Sequence, residues 1–144
     1  MALAIDLAKK AFLLNEVPIG CVIVNKEKKI ISYAHNMVIQ MNDPSAHAEV
    51  IAIREAAAKI QNYRLVNCHL FVTLEPCLMC GGIIINSRLS SVTYASYDIK
   101  TGVVQSNLRV FENKSLNHHT TTKGGVMDDE SVNLLKKFFL ERRK

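Results

Sequence analysis

The sequence lacks the features that mark secreted and membrane proteins. Its 144 residues contain only four cysteines, which is too few for a disulfide framework in a chain of this size. The N-terminus shows no succession of basic, apolar and small residues typical of a signal peptide. No apolar run approaches the roughly eighteen residues that a membrane-spanning helix needs. We therefore expect a cytoplasmic protein with no membrane partner.

Tryptophan is absent, and glycine and proline are scarce, at six and three residues. The sequence also has no low-complexity tract and no clear repeat, which argues against a fibrous or disordered chain. Hydrophobic residues make up 49% and charged residues 22%, as in an ordinary globular protein. Because a chain of this length can bury about 70% of its unfolded surface, we expect a single domain over residues 1–144.

The charge is basic, with a net charge of +5 and a pI near 9.1. Much of it lies in the C-terminal segment "KKFFLERRK" (136–144), which makes a polyanion a plausible partner. Acidic residues 128–130 precede this segment, however, and a helix with an acidic start and a basic end suits its own dipole without any ligand. Charge alone therefore leaves nucleic-acid binding open.

Hydrophobic periodicity predicts helices that alternate with strands, which indicates an α/β layered sheet. The predicted helices cover 2–14, 47–59, a segment opening at Pro76 and Cys77, a weaker piece at 104–111, and 128–142. The predicted strands cover 20–25, 29–35, 68–74, 91–96 and a weak segment at 119–123. In the last helix, Val132, Leu135 and Phe139 are expected to face inward.

The stretch "PSAHAEV" (44–50) places His47 and Glu49 two residues apart at the start of a predicted helix. Side chains at positions i and i+2 point to different sides of a helix, so they cannot share a partner that lies alongside it. They can share a partner over its end. This spacing predicts an ion or a substrate at the helix N-terminus.

Cys77 and Cys80 have the spacing with which two thiolates bind one metal at the first turn of a helix, where thiolates are stabilised. With His47 they form a one-nitrogen, two-sulfur set that suits zinc and leaves one tetrahedral position for water. The alternative is a redox pair or a closed structural site. Possible fourth ligands for such a site are Cys21, Cys68, His35, His69, His118 and His119.

Glu49 favours the hydrolytic interpretation. Zinc lowers the pKa of bound water to about 7, and a neighbouring carboxylate can take the proton and pass it to a leaving group. The simpler alternative is that Glu49 interacts only with the dipole of its own helix.

The H-x-E and P-C-x-x-C pair is the signature of zinc deaminases of nucleobases, and further motifs extend the match over nearly the whole chain. In order, they are "EVPIG", "AHN", "DPSAHAE", "QNYRL", "VTLEPCLMC", "NSR", "DIKTG", "NH" and "FFLERR". By these motifs the sequence resembles the bacterial tRNA-specific adenosine deaminases. Tyr97, Gln105 and Gly81 depart from the usual pattern.

The resemblance implies conversion of the wobble adenosine of a tRNA anticodon to inosine, by a homodimer. It also implies a three-layer α/β/α cytidine-deaminase-like fold with a mixed five-stranded sheet, and one zinc ion per subunit. By resemblance, His47, Cys77 and Cys80 are the zinc ligands and Glu49 the proton shuttle. The substrate-binding residues implied in the same way are Asn36 for the flipped adenine, Asp98 and Lys100 for the flanking nucleotide, and Phe139, Arg142 and Arg143 for the anticodon stem-loop. Phe138 is the alternative to Phe139, and one of these two phenylalanines is expected to belong to the core.

Two other functions stay open. A deaminase of a free base or nucleoside, such as cytosine or guanine, would use the same zinc site, but its binding would show little salt dependence. If the family resemblance is set aside, Asp98 and Lys100 are expected to be ordinary turn and surface residues with no role in binding. A non-catalytic, zinc-stabilised RNA-binding module is the third possibility, and the presence of Glu49 argues against it.

Overall fold

In the computed structural model, which describes residues 1–143, helices and strands alternate as the hydrophobic pattern predicts. The helices are α1 (Ala2–Leu13), α2 (Val38–Met41), α3 (Ala48–Ile60), α4 (Leu78–Asn86) and α5 (Asp128–Arg142), with a 3-10 turn at Val110–Glu112. The strands are β1 (Gly20–Val24), β2 (Ile30–His35), β3 (His69–Leu74), β4 (Ser91–Ser96) and β5 (Thr121–Lys123).

The strands form one mixed five-stranded sheet in the order β2-β1-β3-β4-β5. The β1 strand is antiparallel to both β2 and β3, whereas β3, β4 and β5 are parallel. The β2 strand therefore runs in the same direction as β3 and β4. The carboxyl ends of these three strands consequently meet at one edge of the sheet, where α/β folds commonly bind ligands.

Helices cover both faces of this sheet. Side chains of successive strand residues point to opposite faces, and in β1 Cys21 and Ile23 join the main core with α3 and α4, whereas Val22 packs with α1. Helix α5 lies on the α1 side, where the rings of Phe12 and Phe138 meet edge to face at 5.7 Å. The three-layer α/β/α arrangement with a mixed five-stranded sheet is thus confirmed.

The close approach of α1 to the sheet depends on Gly20. A Cβ atom at this position would lie 2.0 Å from the carbonyl oxygen of Ala4, far inside any real contact distance. Glycine therefore lets α1 pack directly on the first residue of β1.

The predicted helix at 104–111 is wrong, since only the 3-10 turn at Val110–Glu112 forms there. The carboxylate of Glu75, a distant residue in sequence, binds the backbone N–H groups of Val104, Gln105 and Ser106. The chain leaves helical geometry at Arg109, whose φ is +51°, and the N–H of Val110 donates to the carbonyl of Val103 instead of to the residue four positions before it. The short helix α2 was not predicted.

The inward orientation expected for Phe139 is also wrong. Phe138 is the buried phenylalanine of α5, with 3% of its surface exposed, and Phe139 is 47% exposed. The two rings meet edge to face at 5.4 Å. An apolar side chain is therefore presented at the surface of the C-terminal helix.

Among residues 1–143, none of the helices combines the length and apolar character that crossing a bilayer requires.

Candidate active site

Two helix N-termini converge at the sheet edge formed by the carboxyl ends of the strands. His47 is the N-cap residue of α3 and Cys77 is the N-cap residue of α4, and Cys80 follows in the first turn of α4. His47 Nδ1 lies 3.7 Å from Cys77 Sγ and 3.5 Å from Cys80 Sγ. The structure thus brings together the three side chains that the sequence proposed as metal donors.

The spacing of these donors fits zinc. With Zn–S bonds of about 2.3 Å and Zn–N bonds of about 2.0 Å, a tetrahedral ion requires sulfur and nitrogen to be separated by about 3.5 Å. All three donor atoms lie within 4.8 Å of one another. One nitrogen and two sulfurs form the donor set of a zinc site with a free fourth position.

The electrostatics of the site favour a thiolate. Hydrogen bonding with Cys80, together with the interaction with His47, lowers the pKa of the Cys77 thiol to about 4. The hydrogen bond with Cys77 raises the pKa of His47, and the hydrogen bond with Cys77 and burial raise the pKa of Cys80. A coordinated cation removes the proton from a ligating thiol, so a bound metal would make both sulfurs thiolates.

A fourth protein ligand is not supplied. Among residues 1–143, His47, Cys77 and Cys80 form the one group of three or more candidate donors close enough to hold a metal. None of the six alternative donors belongs to this group. His35 Nδ1 bonds the carbonyl of Asn36, His69 Nδ1 bonds Ser91 Oγ, His118 Nε2 bonds the carbonyl of Leu89, His119 is exposed, and Cys21 and Cys68 are buried free thiols. The donor set therefore matches an open catalytic site better than a closed structural one.

Glu49 lies in the first turn of α3 and is 4% exposed. Burial raises the pKa of its carboxyl to about 7. Its Oε2 atom is the one buried side-chain nitrogen or oxygen without a hydrogen-bond partner in the described part of the chain. Because an unpaired buried carboxyl is costly to folding, its retention beside the donor group indicates a chemical role.

Asn36 follows the carboxyl end of β2 and is 3% exposed. Its Oδ1 atom accepts a hydrogen bond of 2.9 Å from the backbone N–H of Ala48, the first residue of α3. This bond fixes the Asn36 amide beside His47. Within residues 1–143 the Nδ2 group makes no hydrogen bond, so it is available to a ligand.

Asp98 and Lys100 lie in the loop after β4. The Asp98 carboxylate accepts hydrogen bonds from the backbone N–H groups of Lys100 and Thr101, both at 3.1 Å, and from the Thr101 hydroxyl at 2.5 Å. Asp98 thus stabilises the turn in which it lies. This agrees with the turn role expected for Asp98 when the family resemblance is set aside. Lys100 is exposed.

A groove along α5 and the loop after β4 brings several of the proposed substrate-binding residues together. One cavity of about 540 Å³ is lined by Val17, Leu74, Tyr97, Asp98, Ile99, Lys100, Thr101, Leu135, Phe139 and Arg143. A second cavity of about 520 Å³ shares Tyr97, Leu135, Phe139 and Arg143 and continues along α5 to Lys136. We call these two cavities together the α5 groove.

Arg142 is placed differently from Arg143. Its Nη2 atom donates a hydrogen bond to the carbonyl oxygen of Asn15, and its guanidinium lies 4.5 Å from the centre of the Phe138 ring. Arg142 does not line either cavity of the α5 groove. Of the two arginines, only Arg143 faces this surface.

Sequence reasoning missed Glu75 and gave Tyr97 no role. Glu75 is 2% exposed and accepts hydrogen bonds from the loop after β4. The sequence feature that could have indicated its importance is an acidic residue at the end of a buried strand. Tyr97 is 46% exposed and lines both cavities. Its departure from the family pattern was visible, but its orientation was not.

Residues 1–96 match the zinc-binding region of cytidine and deoxycytidylate deaminases. Over its whole length the chain is 43% identical to a tRNA-specific adenosine deaminase of Haemophilus influenzae, of which it covers 83%. It is also similar to a solved structure from a study of A-to-I editing by tRNA:A34 deaminases at the wobble position of transfer RNA. That similarity has a TM-score of 0.90 and 36% identity, and covers 94% of this chain and 97% of the other.

A guanine deaminase from Bacillus subtilis is less similar in structure. Its TM-score is 0.66 at 28% identity, with 99% of this chain and 91% of that chain covered.

Proposed function

The chain belongs to the tRNA-specific adenosine deaminases, within the cytidine and deoxycytidylate deaminase family, and we infer that it converts adenosine to inosine at the wobble position of a tRNA anticodon by zinc-dependent hydrolysis. The convergence of His47, Cys77 and Cys80 beside the buried, unpaired carboxyl of Glu49 carries this conclusion. A redox pair would not need that carboxyl.

His47, Cys77 and Cys80 would hold the zinc ion, which when bound supplies Lewis-acid activation of a water molecule at neutral pH. Glu49 Oε2 is the group that would accept the proton of this water. The same atom would then return a proton to the departing amino group, which leaves as ammonia. Burial, which raises the pKa of this carboxyl, favours its uptake of a proton.

Asn36 would orient the base. Its Oδ1 atom is held by the N–H of Ala48, so its amide is fixed relative to the first turn of α3. A fixed amide can recognise the edge of a purine by hydrogen bonds, as enzymes that act on extruded bases require. Because Ala48 lies between His47 and Glu49, this arrangement would place the base next to the reacting groups.

The α5 groove supports an RNA substrate. It presents cationic side chains from Lys100, Lys136 and Arg143 together with the exposed rings of Tyr97 and Phe139. Cations bind phosphates, and exposed aromatic rings stack on unpaired bases. An anticodon loop offers both, and its bases are already unpaired, which lowers the cost of extruding one of them.

A homodimer is proposed for the surface next to the zinc ligands. Leu78, Met79 and Leu108 are 57%, 39% and 64% exposed and line one cavity of about 470 Å³ with Cys77 and Lys100. Apolar side chains concentrated beside a site are typical of an interface. Sedimentation equilibrium should show a dimer that Leu78→Glu weakens, and a monomer at micromolar concentration would reject this proposal.

Residues 1–144 are proposed to act as a single deaminase domain. The cytoplasm is the proposed location, since that is where the proposed substrate, tRNA, is available.

The deciding experiment compares substrates for the purified zinc-loaded protein. We expect inosine at the wobble position of an anticodon stem-loop RNA, and no comparable turnover of free adenine, adenosine, cytosine or guanine. The matched control is the same stem-loop with guanosine in place of the wobble adenosine. Release of ammonia from free guanine with no inosine in the RNA would replace this proposal with a free-base deaminase.

A further inference from the structure

Glu75 is a buried carboxylate that the chemistry described above does not use. It follows the last residue of β3 and directly precedes Pro76 and the zinc donor Cys77, and only 2% of its surface is exposed. In residues 1–143 it forms no ion pair with a basic side chain. Its charge must therefore be stabilised by hydrogen bonds.

All of these hydrogen bonds come from the loop after β4. Glu75 Oε1 accepts the backbone N–H groups of Val104, Gln105 and Ser106 at 3.0, 2.7 and 2.9 Å. Glu75 Oε2 accepts the backbone N–H of Asp98 at 3.0 Å and the hydroxyl of Ser106. One carboxylate thus binds both ends of the segment 98–106, which we call the substrate loop.

Backbone hydrogen bonds also join Glu75 and Pro76 to the end of β4 and to the substrate loop. The N–H of Glu75 donates to the carbonyl of Ser96 at 2.8 Å, and the N–H of Val103 donates to the carbonyl of Pro76 at 2.9 Å. The turn that presents Cys77 and the substrate loop are therefore one hydrogen-bonded unit.

Gly102 shows how closely this unit is packed. A Cβ atom at this position would lie 2.5 Å from Cδ of Glu75 and 2.6 Å from the carbonyl oxygen of Asp98. Since both neighbours are held by the hydrogen bonds described above, neither can move without displacing the loop. Only glycine lets the loop approach the carboxylate this closely.

The charge state of Glu75 agrees with this geometry. Burial opposes ionisation, but the hydrogen bonds from Ser106, Gln105 and Asp98 together lower the pKa of the carboxyl below its ordinary value. Glu75 is therefore an anion at neutral pH, and the bonds it accepts are of the stronger, charge-assisted kind.

We propose that Glu75 is a positioning residue that holds the substrate loop, with Asp98 and Lys100, at a fixed place relative to the zinc-binding turn. This inference rests on the proposed function. Both of its carboxylate oxygens are taken up by hydrogen bonds from the loop, so we assign Glu75 no contact with zinc or RNA. It acts through the loop, which lines the α5 groove at residues 98–101. Displacing the loop should therefore weaken RNA binding. The zinc donors Cys77 and Cys80 should stay in place, because the bond from the Gly81 N–H to the Cys77 carbonyl at 2.7 Å belongs to α4 and not to the loop.

The test uses Gly102→Ala, which displaces the loop while keeping the carboxylate. We expect KM for the stem-loop RNA, and Kd measured by fluorescence anisotropy, to rise about tenfold, the change that corresponds to about 1.4 kcal/mol of binding free energy. We expect kcat within twofold of wild type and one zinc per chain. The matched control is Gly82→Ala in α4, where a Cβ atom meets nothing within 4 Å. This control should keep the wild-type KM and Kd.

A second, milder variant keeps the inference testable if Gly102→Ala does not fold. Ser106→Ala removes the hydroxyl that bonds Oε2 and leaves the four backbone bonds to the carboxylate, so KM and Kd should rise about threefold. Unchanged KM and Kd in Ser106→Ala and in folded Gly102→Ala, or a fall in kcat alone, would overturn the inference. If the wild-type protein forms no inosine, the proposed function fails. If it is active and these variants bind RNA normally, only the role of Glu75 fails.

Discussion

At the scale of single residues, Glu49 combines burial with the lack of any hydrogen-bond partner for its Oε2 atom. Such a carboxyl is unfavourable for folding. Its position in the first turn of α3, beside the donor group, indicates that it has a chemical role. It is a proton carrier in this interpretation and not a metal donor. Loss of its acid–base function should therefore be separable from loss of zinc.

For Glu49→Gln we expect kcat to fall by about a thousandfold, because general acid–base catalysis contributes roughly 10²–10⁴ in rate. The zinc content should stay at one per chain, as measured by atomic emission, because the three donors are unchanged. His47→Ala is the contrasting variant and should lose zinc together with activity. Zinc loss in Glu49→Gln that parallels the loss of activity would make Glu49 a ligand.

Glu75 should contribute to the free energy of unfolding, and its contribution should depend on pH. The hydrogen bonds it accepts lower its pKa in the folded state, so its stabilising effect is fully present above the unfolded pKa of about 4.3 and is lost as the pH falls through the folded value. At pH 7 the free energy of unfolding of the wild-type protein, measured in urea, should exceed that of Glu75→Gln by about 2 kcal/mol or more.

This difference in unfolding free energy should shrink between pH 5 and pH 3. Protonation of the zinc donors affects both proteins alike, so the difference isolates the carboxyl at position 75. A difference that stayed constant over this range would show that the charge of Glu75 does not contribute.

At the scale of elements, α5 presents two consecutive residues of the same type with different roles. Phe138 is buried and contacts Arg142 and Phe12, whereas Phe139 and Arg143 line the α5 groove. The 3.6-residue period of the helix separates such neighbours by about 100°. One arginine thus supports the packing of the helix, and the other faces the proposed RNA site.

Arg143→Ala should weaken binding of the stem-loop several-fold and reduce the slope of log affinity against log salt by about 0.7–1, the value expected for one phosphate contact. Arg142→Ala should change this slope little and instead lower the thermal stability. Lys114→Ala, in the exposed loop before β5, is the control for a general loss of charge. Equal slopes for Arg142→Ala and Arg143→Ala would contradict this division of roles.

At the scale of the whole molecule, the donor group joins α3 to α4 at the edge of the sheet. A metal that binds the folded state and not the unfolded state stabilises the fold by mass action. We expect chelation to lower the melting temperature by roughly 5–10 °C, as estimated for metal at about a hundred times its Kd.

Adding zinc back should restore the original melting temperature in calorimetry. The variant Cys80→Ser should show a smaller response to chelation than wild type, because one of its sulfur donors is gone. A melting temperature that is indifferent to chelation in the wild-type protein would mean that these three side chains do not hold a metal.

The sequence by itself determined the order of helices and strands, because periodicity and capping are local properties. It also placed His47, Glu49, Cys77 and Cys80 at helix N-termini, since spacing within one turn fixes which donors can meet over a helix end. The motif order then indicated the family and the mixed sheet.

The tertiary structure decided the contacts between residues distant in sequence. It bound the carboxylate of Glu75 to the backbone of the substrate loop, and a 3-10 turn at Val110–Glu112 formed in place of the helix predicted at 104–111. It also turned Phe139 and Arg143 to the groove while Phe138 and Arg142 packed against the protein. Local pattern cannot give such partners, because they depend on which surfaces meet when the layers pack together.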